Sequence, residues 1–351
     1  MKTLLPFASD YMEGAYPAIL ERLSAINTIP QDGYGTDGIS ETARQKILEA
    51  CHCPDGEVHF LSGGTQTNAV VIDAILRRYE GVIAVSTGHV SIHEAGAIEY
   101  TGHKVIELPQ HQGKLAASDV TRFMENFEAD ASKDHLVQPG MVYISQPTEY
   151  GTLYSKKELA ELSEVCKKYN LALYADGARL AYALATPEND VTLADLATYC
   201  TAFYIGGTKC GALIGEAVVL PKKGLIPHFF TIIKQHGALL AKGWLLGTQF
   251  DVLFSDNCYE KIGKTAIEYA DAIRKGLKDA GFDLYFPTAT NQIFIIMANQ
   301  KLAALSQKVA FSTWEAYDAD HTVIRLATSW ANNKRRYRQP HRLPEKTLKL
   351  G

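Results

Sequence analysis

The feature that most constrains the fold is an alternation of short, β-rich apolar runs with helical patterns through the first two-thirds of the chain. Several runs are continuously apolar, as expected for strands that are buried on both faces of a parallel sheet. Repetition of strand, helix and strand predicts an α/β domain with a mostly parallel sheet. The predicted strands are residues 57–61, 82–86, 105–108, 141–144, 171–175, 201–205 and 217–220, and the predicted helices are residues 65–79, 91–101, 118–127 and 155–169.

The pattern changes near residue 248. A long predicted helix (259–280) is followed by predicted strands at 284–286, 292–297 and 323–327, which indicates a smaller α+β domain. We therefore predict an N-terminal segment (1–30) that packs with the small domain, a large domain (31–247) and a small C-terminal domain (248–331). Residues 332–351 carry seven Lys or Arg against one Glu, which predicts a basic tail that is disordered or atypical; a basic binding arm is the alternative.

Composition limits the class of protein. The chain has 351 residues, 46% of them hydrophobic, and a net charge of −4, which gives no reason to expect a nucleic acid or an acidic membrane as partner. No stretch approaches the roughly 18–20 unbroken apolar residues of a membrane span, and the N-terminus lacks a signal-peptide core. The six cysteines lack the spacing of a disulfide framework. These features predict a cytoplasmic globular protein.

Ligands of open parallel α/β sheets bind at the carboxyl ends of the strands, so the residues that follow each predicted strand matter most. Residues 62–68 read Ser-Gly-Gly-Thr-Gln-Thr-Asn and open a predicted helix. Glycines allow close approach of an anion, and a helix N-terminus offers free N–H groups, to which Thr65 and Thr67 would add hydroxyl donors. This stretch predicts a phosphate cradle, with a plain helix cap as the alternative.

Two further polar residues follow predicted strands. Asp176 could pair with a protonated heterocycle, and Arg179 could hold a substrate carboxylate; the alternative is that Asp176 caps the next helix and pairs with Arg179. Lys209 lies among glycines after the strand at 201–205. Partial burial lowers the pKa of a lysine, and the neutral amine forms Schiff bases; a loop lysine that reaches solvent is the alternative.

Together these residues match the polar groups of pyridoxal 5'-phosphate (PLP). The phosphate would meet the cradle, the ring nitrogen Asp176, and the aldehyde Lys209. A carboxylate that keeps the ring nitrogen protonated makes the ring an electron sink for a carbanion at Cα. The set therefore predicts a PLP-dependent enzyme that carries its cofactor as a Schiff base on Lys209.

The stretches 62–68, 89–96, 176–180 and 208–209 resemble the low-specificity threonine aldolases of the β-eliminating lyase group. The resemblance runs from about residue 7 to residue 331. It implies PLP fold-type I: an aspartate-aminotransferase-like large domain with a mostly parallel seven-stranded sheet, plus a smaller C-terminal α+β domain. It also implies cleavage of β-hydroxy-α-amino acids, with threonine or allo-threonine giving glycine and acetaldehyde.

The resemblance implies a role for each matching residue. Those assigned to the cofactor are Gly64 and Thr65 at the phosphate, His89 stacked on the ring, Asp176 at the ring nitrogen, Lys209 as the Schiff-base lysine, and Thr208. Those assigned to the substrate carboxylate are Ser9, Arg179 and Arg325. Tyr34 would reach the active site of a neighbouring subunit, and Lys242 would help bind the phosphate across a dimer, so a homo-oligomer is expected.

One position departs from the family. Glu149 stands where the family has a His beside the substrate hydroxyl. Cleavage of Cα–Cβ needs a base for the β-hydroxyl proton, and a carboxylate with a suitable pKa can serve. The departure leaves open a β-eliminating lyase acting on serine-, cysteine- or aromatic-type substrates. A catalytically silent PLP-fold binding module is the other alternative.

Three motifs suggest other sites but are interpreted as structural. The G-x-G-x-x-G pattern at residues 33–38 follows Pro-Gln-Asp rather than a strand, which argues against a dinucleotide site. His89 and His93 are four residues apart, but no third metal ligand is evident. The Cys-His-Cys stretch at 51–53 has the wrong spacing for a zinc clamp. No metal is predicted.

Overall fold

The computed structural model describes residues 4–332. Its strands are β1 (Leu5–Pro6), β2 (Glu57–Leu61), β3 (Glu80–Val85), β4 (Val105–Leu108), β5 (Gln138–Ser145), β6 (Ala172–Asp176), β7 (Ala202–Gly206), β8 (Glu216–Leu220), β9 (Gln292–Ala298), β10 (Val309–Ala310), β11 (Ser312–Ala316) and β12 (His321–Ala327). Its α-helices are α1 (Pro17–Ile26), α2 (Gly38–Ala50), α3 (Gly64–Ile75), α4 (His89–Ile92), α5 (Ala97–Tyr100), α6 (Ala117–Ala129), α7 (Lys156–Lys168), α8 (Leu180–Ala185), α9 (Leu193–Tyr199), α10 (Phe229–Gln235), α11 (Trp244–Leu253), α12 (Cys258–Asp279) and α13 (Asn299–Ser306).

The large sheet has seven strands in the order β2-β8-β7-β6-β5-β3-β4. Strand β8 is antiparallel to both of its neighbours, and the other neighbouring pairs are parallel. The prediction of a mostly parallel seven-stranded sheet is therefore confirmed. All seven predicted strands are present, with shifts of a few residues at their ends.

The strands of this sheet are apolar throughout because both faces are covered. Along β5, Val142 and Ile144 belong to one buried cluster, whereas Met141 and Tyr143 belong to another. Successive side chains of a strand point to opposite faces, so these clusters are the two cores on either side of the sheet. Helices on both faces supply the rest of each core, which is the layering expected of a parallel α/β sheet.

A smaller antiparallel sheet follows, in the order β11-β12-β9. The predicted strand at 284–286 is wrong: only an isolated bridge joins Leu284 to Ile295. The third strand is instead β11, whose buried and exposed positions do not alternate cleanly, so its sequence does not indicate a strand. Strand β1 pairs with β10 in parallel, so the N-terminal segment contacts this part of the chain.

Two predicted helices needed correction. The single helix expected at 91–101 is two short helices, α4 and α5, because Ala95 and Gly96 have φ values of 52° and 73° that a right-handed helix cannot contain. The helix expected at 65–79 ends at Ile75, since Leu76 is extended and β3 begins at Glu80. The capping box predicted at Ser155 is present at the start of α7.

Helix α12 joins the two parts of the molecule. Ile262 and Ala266 pack in a core of the large sheet, whereas Ile273 and Leu277 pack under the small sheet. The predicted boundary at residue 248 falls within α11, which packs on the large sheet, and the domain limits stay a prediction. The predicted basic tail (332–351) lies, apart from its first residue, outside the described residues. Within residues 4–332, no helix combines the length and apolarity needed to cross a bilayer.

Candidate active site

A cavity of about 380 Å³ lies where the carboxyl ends of the parallel strands meet the small sheet. The predicted site residues in its wall are His89, Glu149, Arg179, Lys209 and Arg325. Strands β3, β5, β6 and β7 end next to one another, and the loops that follow them carry four of these five residues to the same edge. The structure therefore brings together residues that are up to 236 positions apart, as numbered in the sequence.

Lys209 lies in the turn that follows β7. Burial and the neighbouring charge of Arg179 lower its pKa, and Asp10 opposes this effect. Glu216, at the start of β8, accepts a hydrogen bond from the Gly207 N–H at 3.0 Å and so holds the beginning of the turn. Burial and the charge of Arg179 therefore favour the neutral amine of Lys209 relative to a lysine in water, as a nucleophilic lysine requires, although the charge of Glu216 acts in the opposite direction.

Asp176 ends β6 and is surrounded by donors. The hydroxyls of Tyr143 and Tyr204 donate to its two carboxylate oxygens at 2.7 and 2.6 Å. The Nδ2 of Asn68 and the backbone N–H of Ala178 donate at 3.0 Å each. Burial alone would raise the pKa of Asp176, but the charge of His89 and the hydrogen bonds from Tyr204, Ala178 and Asn68 lower it below its usual value. Asp176 is therefore a buried carboxylate that stays ionised.

The same network reaches His89. The Nδ1 of His89 lies 2.6 Å from Oε1 of Glu94, and Asn68 donates to that oxygen at 2.7 Å while also donating to Asp176. Within residues 4–332 the other Glu94 oxygen, Oε2, has no hydrogen-bond partner. Glu94 thus orients the imidazole of His89, and Asn68 connects this pair to Asp176.

The predicted phosphate cradle is the N-terminus of α3. Gly63 is the N-cap and Gly64 the first helical residue, and the first N–H groups of a helix have no partner within it. Thr65 is exposed there, whereas the hydroxyl of Thr67 donates to the Gly63 carbonyl at 2.9 Å. The expectation that Thr67 offers a free donor is therefore wrong. The backbone N–H groups and Thr65 remain as donors for an anion.

Arg179 differs from its predicted state. Its Nε and Nη2 donate to the two oxygens of Asp10 at 2.6 and 3.0 Å, so the arginine is paired with Asp10 and not with Asp176. Asn291 also donates to Asp10 at 2.9 Å. Burial alone would raise the pKa of Asp10, but the charges of Arg179 and Lys209, together with the Arg179 hydrogen bonds, lower it to about 2. The charge of Arg179 in the cavity wall is therefore balanced by the carboxylate of Asp10, so Arg179 is not a free cation.

Arg325, on β12, has a different environment. Its Nη1 donates to Gln292 at 3.1 Å, and its Nη2 donates to the Ala8 carbonyl at 3.2 Å and to Ser312 at 3.3 Å. The guanidinium lies 5.1 Å from the ring centre of Trp314. Burial and the charge of Arg179 lower its pKa to about 10. In the described part of the chain its buried Nε has no hydrogen-bond partner, so Arg325 suits an anionic ligand.

Glu149 lies in the turn that follows β5 and lines the cavity. Its Oε1 accepts hydrogen bonds from the Ser145 hydroxyl at 2.6 Å and from the His89 N–H at 3.0 Å. Burial raises the pKa of Glu149, and Ser145 partly offsets this effect. A carboxyl group with a raised pKa beside a cavity is a candidate for general-base chemistry.

Three predicted residues occupy other places. Ser9 is buried between Ala8, whose carbonyl binds Arg325, and Asp10, which binds Arg179. Tyr34 lines a separate cavity of about 530 Å³, with the ammonium of Lys234 4.4 Å from its ring centre. Lys242 is exposed on the adjacent loop, where the Tyr34 N–H donates to the Ala241 carbonyl at 3.0 Å.

Thr208 precedes Lys209 in the turn after β7. Its hydroxyl accepts a hydrogen bond from the Gly215 N–H at 3.0 Å, so it holds the two sides of this turn together. Its assignment to the cofactor stays a prediction.

Several residues of the site were missed from sequence. Asp10 directly follows Ser9, so its position was a usable signal, whereas Tyr143 and Tyr204 were read only as apolar strand residues. Trp314, Ser312 and other residues of β11 were missed together with that strand. Residues 4–332 contain no group of three or more His, Cys, Asp or Glu side chains arranged to hold a metal ion.

Comparison with known proteins gives a consistent result. The profile of the β-eliminating lyase family matches residues 6–332. A threonine aldolase from Leishmania major has a structure with a TM-score of 0.93 and 42% sequence identity, covering 99% of both chains. A low specificity L-threonine aldolase from Pseudomonas sp. (strain NCIMB 10558) is 29% identical over 344 residues, 95% of each chain. An aspartate aminotransferase from Thermus thermophilus shares the fold, with a TM-score of 0.71, 16% identity and coverage of 98% and 91%.

Proposed function

The chain belongs to the β-eliminating lyase family, and we propose that it cleaves β-hydroxy-α-amino acids, with threonine or allo-threonine giving glycine and acetaldehyde. It is a PLP-dependent lyase of the aspartate-aminotransferase fold. The observation that carries the proposed reaction is the cavity in which Lys209, Arg325 and Glu149 meet. These residues supply an amine, an uncompensated cation and a buried carboxyl group.

The described residues fit PLP. The free N–H groups at the start of α3 suit a phosphate. A Cβ added at Gly64 would lie 3.2 Å from the Tyr204 hydroxyl, so glycine at this position leaves space between the helix N-terminus and Tyr204. Asp176 is held as an anion, as a protonated ring nitrogen requires. We assign the phosphate to Gly64, Thr65 and Thr208, the ring nitrogen to Asp176, one ring face to His89, and the aldehyde carbon to Lys209. When bound, PLP supplies an electron sink for charge that develops on the substrate Cα.

The residues of this chain bind and orient the substrate. Arg325 would hold the substrate carboxylate through its guanidinium, with Ser9 and Arg179 completing this end of the cavity. A fixed carboxylate determines which bond at Cα is aligned for cleavage. Because Asp10 already balances the charge of Arg179, we assign the main contact with the substrate carboxylate to Arg325.

Glu149 would act at the other end of the substrate. Its carboxylate accepts the β-hydroxyl proton as the Cα–Cβ bond breaks, and the aldehyde leaves. A proton is then returned to Cα to give glycine, so no net proton is consumed. A positioned base typically contributes about 10²–10⁴-fold to such a step.

The direct test is the identity of the product. The purified enzyme with PLP should convert threonine or allo-threonine into equal amounts of glycine and acetaldehyde, measured by amino-acid analysis and by an alcohol dehydrogenase coupled assay. Formation of a 2-oxo acid and ammonia instead would contradict aldol cleavage.

β-Elimination is the second candidate. The observation that favours it is the carboxyl group of Glu149, which could also assist departure of a β-substituent other than a hydroxyl. A panel of serine-, cysteine- and aromatic-type amino acids distinguishes the two, because elimination gives ammonia and a 2-oxo acid. A PLP-fold protein without activity would show no change of its visible absorption with any amino acid.

We also propose a homo-oligomer. Tyr34 and Lys242 lie on neighbouring exposed loops outside the cavity of their own chain, which is the placement expected if they complete the active site of a second copy. The mass of the protein in solution, by light scattering, tests this directly. We further propose a cytoplasmic location, which the free thiols of all six cysteines support.

A further inference from the structure

We propose that Ser145 is a positioning residue of this reaction, whose hydroxyl fixes one carboxylate oxygen of Glu149 in the cavity wall and favours the ionised form of that group. The proposal rests on the proposed role of Glu149 as the base. It assigns a function to a residue at the end of a buried strand that has no place among the cofactor or substrate contacts described above.

The position of Ser145 is set by the sheet. It is the last residue of β5 and lies beside Asp176 in the parallel pairing with β6. The four strand residues before it are apolar or aromatic, and it is buried itself. A buried hydroxyl is unfavourable unless it finds a partner, and here the partner is the Oε1 of Glu149 at 2.6 Å.

The alternative acceptor of Ser145 is weaker. The oxygen of Tyr143 lies 3.3 Å from Ser145 Oγ, and the proton of Tyr143 is itself committed to Asp176. The shorter contact therefore directs the Ser145 proton to Glu149. The N–H of His89 donates to the same Glu149 oxygen, so two donors from different segments fix that oxygen.

Electrostatics make this contact matter for the chemistry. The titratable or charged groups that act on Glu149 or feel its charge are Asp176, His89, Arg179, Tyr143 and Tyr154. Burial is the largest effect and raises the pKa of Glu149, and the negative charge of Asp176 adds to it. The Ser145 hydroxyl is the largest effect in the opposite direction. A protonated Glu149 could not accept the substrate proton, so Ser145 would extend the pH range in which the base works.

The test is the pH profile of kcat/KM for threonine cleavage by the PLP-loaded enzyme. Ser145→Ala should shift the acidic limb of this profile to higher pH by roughly one to two units. The reason is that a hydrogen bond to a charged group changes its pKa by about that amount. Activity on the alkaline plateau should stay within a few-fold of wild type. Ser145→Cys, a weaker donor of similar size, should give an intermediate shift.

A matched control is Ser163→Ala. Ser163 is also a buried serine, but its hydroxyl donates to the Tyr199 carbonyl at 2.8 Å, on α7 and away from the cavity. This variant should leave the acidic limb unchanged. A uniform loss of activity at every pH in Ser145→Ala, or an unmoved limb, overturns the proposal and makes Ser145 a purely structural residue.

A second measurement uses the protein without PLP and does not depend on activity. The loss of unfolding free energy caused by Ser145→Ala should be larger at pH 8 than at pH 5, because the hydroxyl favours the ionised form of Glu149. In a Glu149→Gln background this pH dependence should disappear. A pH-independent loss contradicts the proposal.

The variant Glu149→Gln separates the two hypotheses. If it retains near wild-type turnover, the proposed base is wrong, whatever Ser145 does. If Glu149→Gln loses turnover while the acidic limb of Ser145→Ala matches that of the wild type, Glu149 remains the proposed base and only the role of Ser145 is wrong.

Discussion

Arg179 and Asp10 form a bidentate ion pair, with Nε–Oδ2 and Nη2–Oδ1 distances of 2.6 and 3.0 Å. The pair is buried and joins the N-terminal segment to the turn after β6. Arg325 lies in the same cavity, but its hydrogen-bond partners are neutral. Two arginines that look equivalent in the sequence therefore have different electrostatic states, and this difference leads to the first two predictions.

Arg325→Ala should raise KM for threonine about tenfold to a hundredfold, because a charge-assisted contact is worth roughly 1.5–3 kcal/mol. The measurement is steady-state kinetics with threonine and with an amino-alcohol analogue that lacks the carboxylate. The analogue should be nearly insensitive to the change. Equal losses for both compounds would show that Arg325 is needed for structure instead.

Asp10→Asn should lower the unfolding free energy at pH 7 by roughly 2 kcal/mol, since the pKa of Asp10 is about 2 in the folded protein against 3.8 as its ordinary value. A lowered pKa stabilises the fold above the ordinary value, and this contribution is lost as pH falls from about 4 to 2. Denaturant unfolding across this range checks the sign. Asp271→Asn should cost less than about 1 kcal/mol, because Asp271 is exposed and the largely buried Arg274 keeps its hydrogen bonds to backbone carbonyls.

Lys209→Ala should abolish turnover and leave PLP bound only non-covalently. The reason is that Lys209 is, among residues 4–332, the lysine that lines the cavity, and burial and the charge of Arg179 lower its pKa. Borohydride reduction of the wild-type holoenzyme, followed by peptide mapping, should place the pyridoxyl label on Lys209. A label on another lysine refutes the assignment.

Glu149→Gln should reduce kcat for threonine cleavage by about 10²–10⁴, the usual effect of losing a general base. PLP binding should survive, because the cofactor contacts assigned above do not include Glu149. Absorbance titration with PLP and single-turnover kinetics measure the two effects separately. If turnover persists, the base is a water molecule or another group in the cavity wall, such as His93.

Tyr204→Phe should destabilise the cofactor-free protein by roughly 1.5–3 kcal/mol at pH 7, because it removes a hydrogen bond to the ionised Asp176. The pKa of Asp176 is lowered in the folded state, so this cost should shrink as pH falls and the carboxyl becomes protonated. Tyr154→Phe is the control, because that buried hydroxyl accepts from the backbone N–H of Leu115 instead. A pH-independent cost for Tyr204→Phe would argue against Asp176 as an anion.

The sequence alone predicts the strands of the large sheet and the site residues that directly follow them, because both depend on local patterns. Apolar runs marked the strands of the large sheet, and the polar residues just after them included Asp176 and Lys209. The same logic failed where a backbone conformation interrupts a pattern: the apolar spacing around residues 91–101 suits one helix, but Ala95 and Gly96 turn the chain with positive φ.

Contacts between distant segments could not be read from the sequence. Asp10 and Arg179 are 169 residues apart. The resemblance places Ser9 and Arg179 at the same carboxylate, but no pattern in either segment indicates that Asp10 itself pairs with Arg179. Tyr143 and Tyr204 pose a different problem, since a tyrosine in a buried strand suits the core whether or not its hydroxyl has a task. Only the arrangement of neighbouring strands shows that both hydroxyls meet Asp176.

The 22-residue helix α12 has a mechanical consequence. At about 1.5 Å per residue it is roughly 33 Å long. Its first half packs in a core of the large sheet, and its second half packs under the small sheet. Gly263 lies so close to α8 that an added Cβ would be 2.1 Å from the Ala181 carbonyl oxygen. The first turns of α12 are therefore packed tightly against α8. Because the helix is packed in both cores, it helps to fix the distance across the cavity between Lys209, on the side of the large sheet, and Arg325, on the small sheet.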